Sequence, residues 1–349
     1  MVAGAEHKPV GSAAPQGAGR ESIFAGPLAC VDILGRSLTE RTIDRFLEAD
    51  VELVSVLVPE QNLPGCSFSC ASEKVKAHAV SNIWSAIGQE LERFSQIGIE
   101  HAFVSSANLY IDADVLDLFY FHRESRRAAT RGLDREGPLE LWMIDCAKAR
   151  EFDIENLLKQ TDVIATTYFV GAYVNQVAHP RDLRRLVSDS LRGRCAMRPV
   201  GREIKPGIWV GEGAEIHRRS RVVAPAYIGS ASCVGENTLV TRFSNIERDC
   251  YVDYGTAIED SSILANTHVG IWLELSHAVA HGNMLMSLGR DVLLEISDPS
   301  VLRSNGSVRG DLIRGISYRD EALCGIAEEK SPDLVAQKSW QLRANPIQG

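Results

Sequence analysis

No stretch of this 349-residue chain approaches the run of about 18 apolar residues that a membrane-spanning helix needs. The first residues also lack the basic and apolar segments of a secretion signal, so a soluble cytoplasmic protein with no membrane span is expected. Positive charge is in short supply. Against 46 Asp and Glu stand 37 Lys and Arg, a net charge of −9, which argues against nucleic acid as a partner. No cysteine framework is visible either. The eight cysteines (Cys30, Cys66, Cys70, Cys146, Cys195, Cys233, Cys250 and Cys324) are scattered, several within apolar patterns where buried free thiols sit. Cys66 and Cys70 would make half of a metal site, but no second Cys or His pair completes it, so no metal is assigned.

What the chain does contain is a repeat. Eleven aliphatic residues follow one another at a spacing of six: Ile204, Val210, Ile216, Val222, Ile228, Val234, Val240, Ile246, Val252, Ile258 and Leu264. Neither a helix (period 3.6) nor an ordinary strand (period 2) produces this spacing. Two positions before most of them stands a small residue: Ala214, Ser220, Ala226, Ser232, Thr238, Ser244, Cys250, Thr256 and Ser262. Together the two series predict a hexapeptide-repeat parallel β-helix, left-handed, with three hexapeptides per coil and about 3.7 coils. The aliphatic residues point into the prism and the small ones turn its corners. After Leu264 the stretch Val269 to Leu288 is apolar but aperiodic, and it is expected to fold over the last coil with Trp272, Leu273 and Leu275 buried.

Four segments are expected: a disordered arm over 1–21, an α/β domain over 22–200, the β-helix with its cap over 201–300, and a tail over 301–349. Ser37 and Glu40 form a capping-box pattern opening a helix through Leu38, Ile43, Phe46 and Leu47, and VELVSVLV (51–58) reads as a strand buried on both faces. A helix carrying Ile83, Ile87, Leu91 and Phe94 leads to a strand near 99–104. A second, with Val115, Leu118 and Phe119, leads to LELWMID (139–145). VIATTYFV (163–170) and an Arg-rich helix from about Pro180 to Leu191 complete the alternation, which predicts a mostly parallel, doubly wound, Rossmann-like sheet.

An α/β domain followed by hexapeptide coils resembles the sugar-phosphate nucleotidyltransferases, the NDP-sugar pyrophosphorylases that make nucleotide-sugars. The likeness is local too. PLACVDILGRSLTERTIDRFLEADVELVSVLV (27–58) resembles the family stretch that runs from Pro-Leu-Leu through Gly-(Arg/Lys)-Pro and a helix into the second strand. YIDADVLDLFYFHRESRRAAT (110–130) resembles the segment after the family's metal-binding Gly-Asp, and YFVGAYV (168–174), with Gly171, its Asn-x-Gly-x-Tyr strand. IEDSSILANTHVGIWLELSHAVAHGNML (258–285) is similar to β-helix ends of members encoded with exopolysaccharide genes.

The chemical parts that this resemblance implies are missing. Nucleotidyl transfer needs a Gly-rich loop to hold the triphosphate and a carboxylate to bind the bridging Mg²⁺. Where the family has Gly-x-Gly-Thr-Arg-Leu, GAGRESIFAGP (17–27) keeps only Gly17, Gly19 and Arg20. Where it has Gly-Asp, this chain has Ser105, Ser106, Ala107 and Asn108, and Asn lacks the charge that Mg²⁺ prefers. Asp112 and Asp114 follow as replacement candidates, although Asp114 also suits a helix N-cap. Among 181–202, Arg181, Arg184, Arg185, Arg192, Arg194, Arg198 and Arg202 face only Asp182 and Asp189, so Arg184 and Arg185, with Gly171, are candidates for holding a phosphate or nucleotide-sugar. A solvated helix face explains the same arginines. His217, His268, His277 and His281 are available to an acyl-transfer site, with His277 and His281 standing where the repeat breaks. No extended loop interrupts the coils to close such a site.

Three functions follow. The first is a nucleotidyltransferase-like, catalytically impaired protein of sugar-nucleotide or exopolysaccharide metabolism that binds a nucleotide-sugar or sugar phosphate, or regulates. The second is an active nucleotidyltransferase with an atypical loop, which alone would use Mg²⁺. The third is a hexapeptide acyltransferase or scaffold. A homo-oligomer through the coil faces is compatible with each.

Overall fold

The computed structural model describes residues 28–60, 72–152, 154–159 and 165–305. The expected arm, the loop over 17–27, the Cys66–Cys70 pair and most of the tail lie outside them.

The N-terminal lobe opens with a 3-10 turn, Leu28–Cys30, and a hairpin of β1 (Asp32–Ile33) and β2 (Arg36–Ser37). Helix α1 (Leu38–Glu48) starts on the expected capping box: Ser37 Oγ accepts from the Glu40 N–H at 3.2 Å, and Glu40 Oε2 accepts from the Ser37 N–H at 3.1 Å. Then come β3 (Val54–Pro59), β4 (Val75–Val80), α2 (Ile83–Gln96), β5 (His101–Ser105), β6 (Leu109–Ile111) and α3 (Val115–Ser125). The lobe continues through β7 (Ala129–Leu133), β8 (Pro138–Asp145), α4 (Cys146–Ala149), α5 (Ile154–Lys159), β9 (Ala165–Phe169), β10 (Val174–Gln176) and α6 (Pro180–Leu191). No helix among the described residues is long and apolar enough to cross a membrane.

The sheet differs from the mostly parallel one expected. β3 pairs with β4 in parallel and β7 with β9 in parallel, but β5–β8, β7–β8 and β6–β10 are antiparallel, and the four-stranded sheet has the order β5-β8-β7-β9. The reason is a tight turn after β7. Asp134 N–H donates to Gly137 O at 2.9 Å, the Asp134 carboxylate accepts from the Glu136 and Gly137 N–H groups, and Gly137 sits at φ +138°. The chain therefore folds back as a hairpin where a crossover helix would have kept it parallel. Cys146, Cys195 and Cys250 are buried free thiols, whereas Cys30 is disulfide-bonded.

From Ile208 the strands cycle through three sheets, each turn adding a parallel strand to every face. One face stacks Ile208–Val210, Ala226–Ile228, Asn245–Ile246, Ser262–Ile263 and Ala278–His281. The second stacks Glu215–Ile216, Cys233–Val234, Tyr251–Val252 and Thr267–Val269, and the third Arg221–Val222, Leu239–Thr241, Ala257–Glu259 and Glu274–Ser276. Small residues turn the corners by bonding the next coil: Ser232 Oγ donates to Glu247 O (2.6 Å), Thr238 Oγ1 to Asp253 O (3.1 Å) and Thr256 Oγ1 to Gly270 O (2.6 Å). Each buried hydroxyl thus has a partner, as a dry prism requires.

The ladder departs from a strict six at both ends. Ile204 is 44% exposed, because Arg202–Lys205 runs antiparallel to Ile208–Val210 ahead of the first coil. At the other end the corner after Ile258 is one residue short. Ile246 pairs with Ile263, Val252 with Val269 and Ile258 with Leu275, and Ser261, not Ser262, supplies the corner hydroxyl. Leu264 is buried outside the prism, in the core shared with the N-terminal lobe. The coil therefore runs one turn further than the repeat suggests, and the expected cap is partly coil: Leu275 lines the prism and Leu273 packs against it. Trp272 instead stands 62% exposed on a corner, its ring 5.2 Å from that of Tyr254. The end is closed by Met284–Ser287 and Val292–Glu295, which continue the first face antiparallel, and by Leu302–Ser304 on the second.

The lobe and the coil share a core in which Leu183, Leu186 and Val187 of α6 meet Tyr227, Leu264 and Val279.

Candidate functional site

The turn between β5 and β6 is where the sequence resemblance would place a metal carboxylate. Its Asn108 joins three segments: Oδ1 accepts from the Ala29 N–H at 3.0 Å, and the backbone carbonyl accepts from the Val177 N–H at 2.8 Å. Nearby Asn175 is fully buried and donates to Asp182 O at 3.2 Å. The side-chain polar groups at these two positions are thus amides. They carry no charge and Asn108 Oδ1 already has a donor, so this turn does not fit Mg²⁺.

Neither replacement carboxylate is brought there. Asp112 takes the Tyr110 hydroxyl on Oδ1 (2.6 Å) and the Ala196 N–H on Oδ2 (2.8 Å), so it clasps the start of the coil-bound chain; burial and this carboxylate push the Tyr110 phenol pKa well up. Asp114 caps α3, accepting from the Leu116 N–H at 2.9 Å. Among the described residues no group of three His, Cys, Asp or Glu is disposed to hold a metal.

Beside this turn, α1 and α3 stand over β5, β6, β8 and β9 and line a shallow cleft. Phe46, Phe103, Leu109, Leu118, Leu141 and Val170 make its walls apolar, while Arg41, Arg45, Ser105, Tyr110, Asp114 and Tyr168 add polar atoms. The guanidinium of Arg45 is anchored to the carbonyls of Ile111 and Ala113. The Tyr168 phenol pKa is raised by burial, with Asp117 and Asp114 adding to the effect.

The remaining candidates separate. Arg184 is 5% exposed and serves the joint between lobe and coil, so the expectation that it holds a ligand is corrected: it bonds Phe243 O, Asn245 Oδ1, Ser262 Oγ and Asp260 Oδ1 at 2.8 to 3.1 Å. Burial lowers its pKa and Asp260 opposes this. Arg185 is exposed on the same helix, and Gly171 is exposed with open space around it. His217 caps a turn by accepting from the Arg219 N–H (3.3 Å), and His268 is buried against Tyr251 with Asp253 at 3.8 Å, beyond hydrogen-bond reach. His281 lies in the closing hairpin opposite Met284, and His277 stands on an exposed corner paired with Asp260 at 2.5 Å. The four histidines do not form one site.

A buried charged cluster in the same joint went unread. Glu247 has no exposed surface and accepts from the N–H groups of Leu34 (2.8 Å) and Gly35 (2.9 Å) at the tip of the β1–β2 hairpin, and from Asn245 Nδ2 (2.6 Å). Its pKa is pushed up to about 7 by burial, with Asp32 adding and the three hydrogen bonds opposing. Burial also raises the Asp32 carboxyl, against Arg248 at 2.9 Å. Gly35 sits at φ +91°, and a Cβ there would strike the Tyr227 hydroxyl. The signal was a column in the coil: Gly211 and Gly229 precede Glu247 at intervals of one turn, and a carboxylate replaces the glycine.

No protein-family model and no curated protein matches the chain. Among solved structures it is similar to a protein of Bacillus anthracis assigned as a glucose-1-phosphate thymidylyltransferase, in complex with a sucrose, at 11% identity and a TM-score of 0.35, covering 46% of this chain and 85% of that one. It is likewise similar to HddC from Yersinia pseudotuberculosis, complexed with GMP-PN, at 10% identity and a TM-score of 0.35, covering 46% of this chain and 88% of that one.

Proposed function

We propose that the chain is a nucleotidyltransferase-like protein of sugar-nucleotide or polysaccharide metabolism that binds a nucleotide-sugar or sugar phosphate without turning it over. The local sequence resemblance over 27–58, 110–130 and 168–174 supports that chemistry. The observation that carries the loss of turnover is Asn108. It stands where the family's Asp holds Mg²⁺, and its side-chain oxygen is committed to the Ala29 N–H. Asp112 and Asp114 are each committed elsewhere, which supports binding over catalysis. The hexapeptide period at three strands per turn fits the left-handed form of the coil.

The test is pyrophosphate release from a panel of nucleoside triphosphates with sugar 1-phosphates and Mg²⁺. No release above background is expected, while a nucleotide-sugar or sugar phosphate raises the melting temperature by mass action. Turnover that disappears in Asp112→Asn or Asp114→Asn would overturn the proposal in favour of an active enzyme with an atypical loop.

A further inference from the structure

The faces of the coil differ on the outside. On the first, Tyr227, Asn245 and Ser262 stand one above another and are buried against the lobe. On the third, strand pairing stacks Arg221, Leu239, Ala257 and Glu274 in a single column, one per turn. Their neighbours Val222, Val240, Ile258 and Leu275 line the prism, so by alternation this column points outward. Arg221 and Glu274 are exposed, and Leu239 and Ala257 are half-buried.

The column carries opposite charges at its two ends. At the flanking corners Arg219 pairs with Glu236 at 2.5 Å and Arg242 with Glu259 at 2.6 Å, whereas Arg221 and Glu274 have no ion-pair partner among the described residues. Three strand spacings, about 14 Å, separate them, too far for attraction across water and salt. A two-fold axis laid along the strands turns the column end for end. Arg221 then meets the partner's Glu274, twice by symmetry, and Leu239 meets the partner's Ala257 twice. In the next outward column Thr241 meets the partner's Glu259, so no two carboxylates oppose each other. An axis along the coil would instead gather both arginines at one end and both glutamates at the other, and like charges set together repel.

The corner leading into this face supplies apolar surface. Ile271 is 53% and Trp272 62% exposed. The Trp272 ring leans over Gly255, where a Cβ would come within 2.9 Å of it. Two residues back from the column, Arg219, Asn237, Gly255 and Trp272 make a parallel row. The same axis therefore brings Trp272 to the partner's Arg219, a guanidinium suited to an indole face.

We propose that the third face is a self-association surface whose occupant is a second copy of this chain, packed face to face with the two coil axes antiparallel. Four strands of two or three residues cover less than the roughly 800 Å² per partner of a standard interface, so the dimer forms and dissociates with concentration. It uses none of the residues around Asn108 and is independent of nucleotide-sugar binding.

The test is sedimentation velocity on the full chain in dilute salt, between roughly 1 and 300 µM protein. A monomer–dimer equilibrium is expected. Arg221→Glu and Glu274→Arg should each raise its dissociation constant by about tenfold or more, with melting temperatures unchanged because both side chains are exposed. An equimolar mixture of the two variants should dimerise again, since each reversed charge then faces an opposite one in the antiparallel register. A wild type that stays monomeric or sediments as a trimer, single variants that associate as the wild type does, or a mixture no tighter than its components overturns the proposal.

Discussion

Glu247 is a carboxylate sealed between two parts of the molecule, faced by Asp32, Arg41 and Tyr227. Its pKa in the fold, about 7, lies above the ordinary 4.5, so between those values the folded state binds more protons than the unfolded one. Stability from this group is therefore full at low pH and falls as pH rises through about 7. Asp32, also raised, adds with the same sign. Urea melts should show stability declining from pH 5 to pH 8 by an amount on the order of 3 kcal/mol. Glu247→Gln should flatten that decline, and an undiminished slope in the variant would show that the carboxylate titrates elsewhere. Its role could not be read from sequence, because Leu34 and Gly35 lie more than two hundred positions away. Arg184 teaches the same lesson: helical period separates it from its exposed neighbours, but only the docking of α6 on the coil reveals that it is buried.

For the elements, legibility followed the locality of the forces involved. The capping box at Ser37 and Glu40 and the bounds Pro180–Leu191 were legible because a helix end is decided within one turn of chain. Strand direction was not, because it rested on the turn from Asp134 to Gly137 and on pairing partners distant in sequence. The repeat was legible in its middle and misleading at its margins. Leu264 keeps the count of six from Ile258, yet the shortened corner at Asp260 puts Ile263 into the prism. Substitution separates the two registers. Ile204→Asp, in an exposed antiparallel strand, should leave the melting temperature within about 2 °C of wild type. Val269→Asp places a charge in a dry interior and should lower it by roughly 10 °C or abolish folding. Damage from Ile204→Asp together with tolerance of Val269→Asp would restore the strict period of six.

Across the whole molecule, lobe and coil are joined by a continuous apolar core and by buried polar bonds from Glu247 and Arg184. Opening that joint would leave a carboxylate, a guanidinium and several amides without partners in surroundings that water reaches only after separation. The two parts should therefore unfold together. A single calorimetric transition is expected, with amides of β8 and of Tyr251–Val252 exchanging at the same limiting free energy. Two resolved transitions would show that the joint is only a contact between independent bodies. Arg184→Ala should lower the single transition by about 3–5 kcal/mol, since Asp260 and Asn245 lose their shared donor.

The closing strands at the two ends of the coil have a consequence for growth. A stack of parallel turns is a template: its last rung offers unpaired N–H and C=O groups to any chain that repeats the pattern, and identical molecules could add end to end into a fibre. Here the first rung is met by Arg202–Lys205 and the last by Met284–Ser287 and Leu302–Ser304, all running against the stack. A reversed strand offers its bonds at alternating narrow and wide spacing, which a parallel newcomer cannot match. Two of the three edges at the last rung and one of the three at the first are thus terminated by direction as well as by coverage, which disfavours polymerisation along the axis.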